Sequence, residues 1–122
     1  MSVNIDFMGK TVLITGATRG IGKAIADAFM DSGANLLLTG TKPEEIEQRS
    51  EEKKNTKVKW LKADFSLPGG IASFIEQLKS ADAIDICVNN AGINIIKPYA
   101  EYSADEYQRL MNINLTAPFS IT

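Results

Sequence analysis

The chain has 122 residues, 44% of them hydrophobic, and a formal net charge of −2. This length suits one domain with a buried core, and the interspersed charges exclude the basic face of a nucleic-acid-binding or membrane-surface protein. The chain contains no histidine, which excludes histidine-based catalysis and the usual histidine-containing zinc sites, so we predict no metal site.

Apolar runs of strand length alternate with helical patterns along the whole chain. The predicted strands cover residues 11–15, 35–40, 57–64 and 84–89, the last within an apolar run of residues 83–92 that continues into a loop. The predicted helices cover residues 20–32, 43–54 and 67–81, and the Ser103–Glu106 capping box opens a fourth. Short strands separated by such helices are typical of an α/β protein whose parallel sheet is covered on both faces.

Glycine-rich or polar clusters follow each of the four predicted strands. They are residues 16–22, residues 40–42, Asp64 and residues 89–92. Ligands of parallel α/β sheets bind beyond the carboxyl ends of the strands. We therefore expect the four clusters to meet in one site.

The first cluster, TGATRGIG at residues 15–22, joins a strand to a helix. A helix N-terminus offers free amide groups and the positive end of its dipole to an anion. A phosphate reaches those amides only where no Cβ intervenes, as at Gly16, Gly20 and Gly22. A P-loop is excluded, because Ile21 and Ala24 stand where it needs a glycine and a hydroxyl. The alternative is a turn that only packs the strand against the helix.

TGATRGIG resembles the T-G-x-x-x-G-x-G motif of the short-chain dehydrogenase/reductase family. NNAG at residues 89–92 is similar to that family's second signature, and NINL at residues 112–115 resembles the segment with its active-site asparagine, here Asn114. Within the family, GATRGIG and NNAGI are most similar to the 3-oxoacyl-acyl-carrier-protein reductases. The resemblance implies a three-layer α-β-α Rossmann fold with strand order 3-2-1-4. It also implies hydride transfer between nicotinamide and a carbonyl or secondary alcohol.

The resemblance further assigns a cofactor-binding residue to each cluster. These residues are Gly16, Thr18, Arg19, Gly20, Ile21, Gly22, Thr41, Asp64, Phe65, Asn90, Ala91 and Gly92. NAD-binding proteins of this kind usually have an acid at the end of the second strand, where LLLTGTK has none. Arginine matches phosphate geometry, so Arg19 favours NADP(H), with NAD(H) the second choice. The alternative for Arg19 is a solvated turn residue, and an acid introduced at Gly40 is expected to favour NAD(H).

The family's catalytic pattern is incomplete in this sequence. The resemblance implies a serine, a tyrosine and a lysine four residues after the tyrosine, but no tyrosine here has a lysine at that spacing. Asn114 is then the one catalytic residue present, holding a water in a proton relay at a helix irregularity that its side chain maintains. We expect residues 1–122 to be the N-terminal cofactor-binding half of such an enzyme. The alternative is a non-catalytic, stand-alone nucleotide-binding or regulatory module.

Taken alone, the chain is expected to be inactive and not to persist as a stable monomer. The fourth strand should lie at a sheet edge, and the last helix should expose four apolar side chains: Leu110, Ile113, Leu115 and Phe119. Cys87, inside an apolar strand, is predicted to be a buried thiol.

The expected partners are a small carbonyl or hydroxy substrate, including acyl-carrier-linked ones, and further copies of the parent enzyme in a dimer or tetramer. No nucleic acid or membrane is expected among them. A single cysteine fits a cytoplasmic location.

Overall fold

The computed structural model describes residues 5–54, 56–81 and 83–122. Its strands are β1 (Thr11–Ile14), β2 (Asn35–Gly40), β3 (Val58–Lys62) and β4 (Ile86–Val88). Its first three helices are α1 (Gly20–Asp31), α2 (Pro43–Glu52) and α3 (Gly70–Leu78). After β4 come a 3-10 turn (Tyr99–Glu101), α4 (Ala104–Met111), a π-helical segment (Asn112–Thr116) and α5 (Ala117–Ile121). Among the described residues, no helix combines the length and apolarity that crossing a membrane requires.

The four strands form one parallel sheet in the order β3-β2-β1-β4, which confirms the predicted fold class and places β4 at an edge. β4 has three residues and is shorter than the predicted strand of residues 84–89. It pairs with β1 alone, and β1 itself has only four residues. α3 also begins later than predicted, at Gly70, because Gly69 before it adopts a left-handed conformation with φ 74°.

Successive side chains of the strands point to opposite faces of the sheet and belong to two apolar clusters, one on each face. The first cluster joins β1 and β2 to α1 and α2 through residues such as Val12, Leu36, Ile46 and Trp60. The second cluster joins the other face to α3, the π-helical segment and α5; its buried members are Leu13, Leu37, Ala63, Phe65, Phe74, Ile113 and Ala117. The sheet is therefore covered on both faces, as the strand pattern predicts.

Two predictions about burial are wrong. Cys87 is exposed, because β4 lies at the sheet edge, although partial desolvation still raises the pKa of its thiol. Ile113, expected on the surface, is buried in the second cluster. Leu115 and Phe119 are exposed as predicted, with Phe119 at 83%, while Leu110 is half-buried.

Candidate functional site

The glycine turn, residues 15–22, brings β1 into α1 at the carboxyl end of the sheet. Gly16 and Gly20 have positive φ angles of 66° and 61°, which glycine adopts without strain. A Cβ on Gly22 would lie 2.2 Å from the carbonyl oxygen of Gly16, whereas one on Gly20 would meet nothing within 4 Å. Gly22 thus permits close packing of helix on turn, and Gly20 keeps the turn's outer side open.

The N-terminus of α1 is arranged as an anion site. Arg19 occupies the cap position in an extended conformation, and no side chain of the described residues caps the helix. The first turn of α1 carries no acid. The helix dipole and the first amide groups therefore face the open side of the glycine turn without a competing carboxylate.

Thr15 joins the glycine turn to the β4 loop, which we define as residues 89–93. The backbone N–H groups of Asn90 and Ala91 donate to Thr15 Oγ1 at 3.1 and 3.0 Å. Asn90 Nδ2 donates in return to the carbonyl oxygen of Gly16 at 3.0 Å. Two of the predicted clusters are thereby held against each other by direct hydrogen bonds.

Thr39 joins β2 to the glycine turn, because its Oγ1 accepts a hydrogen bond from the N–H of Gly16 at 3.0 Å. Thr15 and Thr39 are 2% and 1% exposed. Neither threonine is among the site residues predicted from the sequence. The signal was present in each case, since a threonine follows a run of buried aliphatic residues at the carboxyl end of its strand.

The corner between β1 and β2 presents Arg19 and Thr41, both exposed. Gly40, the last residue of β2, is closely packed, because a Cβ there would come within 2.5 Å of Thr18 Cγ2 and 2.8 Å of Ile46 Cδ1. Gly40 is therefore a packing position, and an acid introduced there would displace both side chains. Thr41 is the first position after β2 that is open to a ligand.

Asp64 and Phe65 follow β3 but differ in what they offer. Asp64 Oδ1 accepts from the N–H and the Oγ of Ser66, at 3.0 and 2.5 Å, and the residue is half-buried. Phe65 is 4% exposed, and its ring packs edge-on against Phe74 with centroids 5.5 Å apart. The side chain of Phe65 thus belongs to the core, which leaves only its backbone for a ligand.

Asn114 lies in the π-helical segment, so the helix irregularity expected at this residue is present. Its side chain makes two hydrogen bonds, both to the backbone of Ile93. Oδ1 accepts from the N–H of Ile93 at 2.9 Å, and Nδ2 donates to the carbonyl oxygen of Ile93 at 2.8 Å. Asn114 therefore fastens the β4 loop to the helix, in the way one peptide group pairs with another.

Beyond the β4 loop, Lys97 reaches back to the start of α4. Its Nζ lies 2.6 and 2.5 Å from the two carboxylate oxygens of Glu106, while Glu106 closes the predicted capping box with Ser103. The hydrogen bond from Lys97, and after it the one from the backbone of Ser103, lowers the pKa of Glu106 from its ordinary value. Tyr102 donates to the carbonyl oxygen of Ile95 in the same segment.

These elements agree with the protein family that the sequence matches. The sequence matches the family described as short chain dehydrogenase over residues 10–122. The chain belongs to this family. The recognition from TGATRGIG and NNAG is therefore confirmed.

The curated relatives of the chain include a reductase and a nucleotide-binding protein. It is 34% identical to the 3-oxoacyl-[acyl-carrier-protein] reductase of Aquifex aeolicus, over 98% of this chain and 50% of that protein. It is 38% identical to the cyclic-di-GMP-binding biofilm dispersal mediator protein of Escherichia coli, over 93% of this chain and 46% of that protein. The chain spans about half the length of the curated relatives it matches.

Solved structures show the same partial match. L-sorbose reductase from Gluconobacter frateurii, complexed with NADPH and L-sorbose, superposes with a TM-score of 0.83 at 27% identity, over 98% of this chain and 47% of that one. A short-chain dehydrogenase from Sphingobium yanoikuyae in complex with NADPH gives a TM-score of 0.79 at 30% identity, over 92% of this chain and 45% of that one.

Proposed function

We propose that this chain forms the NADP(H)-binding side of an oxidoreductase that transfers a hydride between nicotinamide and a carbonyl or secondary alcohol. The main supporting observation is the glycine turn. The helix that follows it has Arg19 at its N-cap, no side-chain cap and no acid in its first turn. A pyrophosphate suits this cradle, because Gly20 leaves its outer side free of any Cβ contact. Membership of the short-chain dehydrogenase family supports the same assignment.

The sheet order suggests how the dinucleotide would run. Asp64, after β3, would lie at the adenine end, with the glycine turn at the pyrophosphate, and Asn90, Ala91 and Gly92 toward the nicotinamide. Asn114 stands beside that last group, since a Cβ on Gly92 would lie 3.4 Å from Asn114 Oδ1. The bound nicotinamide would supply the hydride, and the residues of this chain would position it.

The preference for NADP(H) rests on charge at the β2 corner. NAD-binding folds usually present an acid at the end of this strand to a ribose hydroxyl. Here Thr41 and Lys42 follow Gly40, and the exposed Arg19 follows Thr18, whose side chain packs against Gly40. A hydrogen bond from a charged group contributes roughly 1.5–3 kcal/mol, enough for about a ten- to hundredfold preference for the 2′-phosphate.

Asn114 is proposed to hold a water of the proton relay through its backbone carbonyl. Both polar groups of its side chain are engaged by Ile93, and the π-helical segment is the kind of irregularity that accompanies functional sites. The family's serine, tyrosine and lysine have no matching positions among these 122 residues. We assign them to a part of the protein outside this chain, so the complete reaction belongs to the whole protein.

The substrate is proposed to be a small carbonyl or alcohol compound, and the acyl-carrier-linked ketone of the Aquifex relative is one candidate. Assembly of the parent enzyme into a dimer or tetramer and a cytoplasmic location stay predictions. A second candidate function is a nucleotide-binding regulatory module, favoured by the 38% identity to the cyclic-di-GMP-binding protein. Binding of cyclic-di-GMP in preference to NADP+ by this chain would support that second candidate.

The test measures NADP+ and NAD+ affinity by titration calorimetry. The native chain is expected to bind NADP+ more tightly, and Arg19→Ala is expected to lose about tenfold in NADP+ affinity while NAD+ changes little. Lys79→Ala is the matched control, since that lysine pairs with Glu76 on the exposed side of α3. Equal losses for both dinucleotides would refute the assignment of Arg19 to the 2′-phosphate.

A second variant tests the β2 corner. Thr41→Asp places a carboxylate at an exposed position, without the packing conflict that Gly40→Asp would create. The carboxylate repels a 2′-phosphate and accepts from a ribose hydroxyl, so the preference should move toward NAD+. A variant that keeps the native preference would show that this corner does not read the 2′-position.

A further inference from the structure

Arg49 on α2 makes an unexpected contact with the glycine turn. Its Nη2 donates to the carbonyl oxygen of Thr18 at 3.1 Å, although the two residues are 31 positions apart. α2 packs on β2 and β3, whereas the glycine turn belongs to β1 and α1. Arg49 thereby links the helix of one βα unit to the ligand-facing turn of another.

The guanidinium of Arg49 is held in place from two other sides. Its Nε and Nη2 donate to Glu45 Oε1 at 3.2 and 3.0 Å. Its plane lies over Trp60 of β3, with Cζ 4.9 Å from the ring centroid. The side chain is 30% exposed. A guanidinium held on one edge and one face has little freedom left, so the N–H of Nη2 that does not serve Glu45 has a fixed direction toward Thr18.

The carbonyl that Arg49 holds belongs to the peptide joining Thr18 to Arg19. The described chain contains no cis peptide bond, and in a planar trans peptide the C=O and the N–H point in opposite directions. Fixing the carbonyl of Thr18 toward Arg49 therefore directs the amide of Arg19 away from α2. It also fixes the plane from which the Arg19 side chain departs.

We propose that Arg49 is a positioning residue for Arg19, and that through the Thr18–Arg19 peptide it sets the preference for a dinucleotide that carries a 2′-phosphate. This rests on the proposed function. Arg49 does not itself contact the phosphate in this scheme. Its effect passes through Arg19, which distinguishes it from an additional phosphate ligand.

The experiment titrates the chain with NADP+, NAD+ and 2′,5′-ADP. Arg49→Ala is expected to weaken NADP+ and 2′,5′-ADP by roughly tenfold, the scale of one hydrogen bond from a charged group, and to leave NAD+ nearly unchanged. Lys53→Ala is the matched control, because Lys53 ends the same helix and lines the same cleft of about 230 Å³ between α1 and α2. Lys53→Ala removes a positive charge, as Arg49→Ala does, but it breaks no hydrogen bond to Thr18. The affinity for each of the three ligands should therefore change by less than about twofold.

A double-mutant cycle separates positioning from direct binding. If Arg49 acts through Arg19, the double variant Arg19→Ala/Arg49→Ala binds NADP+ about as weakly as Arg19→Ala alone. Additive losses would mean that Arg49 contacts the phosphate independently, and would overturn the proposal. Equal weakening of NADP+ and NAD+ by Arg49→Ala would overturn it as well, because a merely structural role does not discriminate between them.

The outcomes distinguish this inference from the proposed function. A native chain that binds neither NADP+ nor 2′,5′-ADP refutes the function. A native chain in which Arg19→Ala loses the preference but Arg49→Ala behaves like Lys53→Ala refutes only the role of Arg49. Should Arg49→Ala fail to fold by circular dichroism, Arg49→Lys keeps the charge and the aliphatic stem over Trp60. The lysine lacks the fork that serves Glu45 and Thr18 together, so it should still lose the preference.

Discussion

β1 and β4 are hydrogen-bonded neighbours with similar apolar sequences, TVLI and ICV, but they are buried very differently. Leu13 of β1 and Cys87 of β4 lie opposite each other in the parallel register. Leu13 is 1% exposed, whereas Cys87 is exposed. β1 lies between two strands and β4 at the edge of the described sheet. Apolar composition thus predicts that a strand forms, and its neighbours decide how much of it is buried.

Shortening the side chains of Leu13 and Cys87 tests this comparison, and it should give the largest effect on the free energy of unfolding. Leu13→Ala leaves a cavity in the second cluster, which also contains Leu37 and Phe74, and should lower the free energy of unfolding by about 3–4 kcal/mol. Cys87→Ala, opposite it, should cost less than about 1 kcal/mol, because little surface is buried there. Urea denaturation measures both. Comparable losses would mean that β4 is covered in solution, by another copy or another segment.

The contact between the β1 and β4 sides can be broken at one glycine. A Cβ on Gly22 would lie 2.2 Å from the Gly16 carbonyl oxygen and 2.5 Å from Asn90 Nδ2, so Gly22→Ala must displace the hydrogen bond that joins the two loops. We expect a loss of about 3 kcal/mol. Gly20→Ala is the control, with a positive φ but open space, and should cost about 1 kcal/mol. The reverse ranking, measured by thermal denaturation, would contradict the described packing.

The sequence predicts the β1 side better than the β4 side for a physical reason. The patterns around β1 and β2 are local, since buried aliphatic runs, a glycine-rich turn and a helix follow one another in the chain. The structure confirms each of them. Around β4, the length of the strand and the exposure of Cys87 depend on which strands lie beside it. That information is not local, so the strand is shorter than the predicted residues 84–89 and the Cys87 thiol is exposed rather than buried.

The candidate site shows the same division. Gly16, Gly22 and the capping box are visible as spacings, whereas the hydrogen bonds of Thr15, Thr39 and Arg49 join residues far apart in sequence. The π-helical segment at Asn114 followed from family resemblance, but the bonding of its side chain to Ile93 did not. Long-range hydrogen bonds of this kind require the coordinates.

A third prediction concerns how firmly the β4 loop is held. Asn114→Ala removes both hydrogen bonds to Ile93 at an exposed position, which should cost about 1 kcal/mol. Asn114→Asp keeps the acceptor for the N–H of Ile93 but sets an oxygen against its carbonyl, so it should cost at least as much. Hydrogen exchange of the Ile93 amide should quicken in Asn114→Ala and less in Asn114→Asp. Unchanged exchange in both would show that the loop is held by Thr15 and Asn90 rather than by Asn114.

The smallest expected effect on stability comes from Glu106, which follows β4 in the chain. Lys97 and the capping box hold its carboxylate. Because the folded-state pKa of Glu106 is lowered, its contribution is complete above the unfolded-state pKa of about 4.3 and disappears as the pH falls through the lower folded-state value. Glu106→Gln should therefore be slightly less stable than the native chain at pH 7 and equal to it in stronger acid. Glu47→Gln, the same change of charge at an exposed position of α2, controls for net charge. Thermal denaturation at a series of pH values from 7 downward tests this, and a stability difference that does not shrink as the pH falls would mean that Glu106 acts through packing rather than charge.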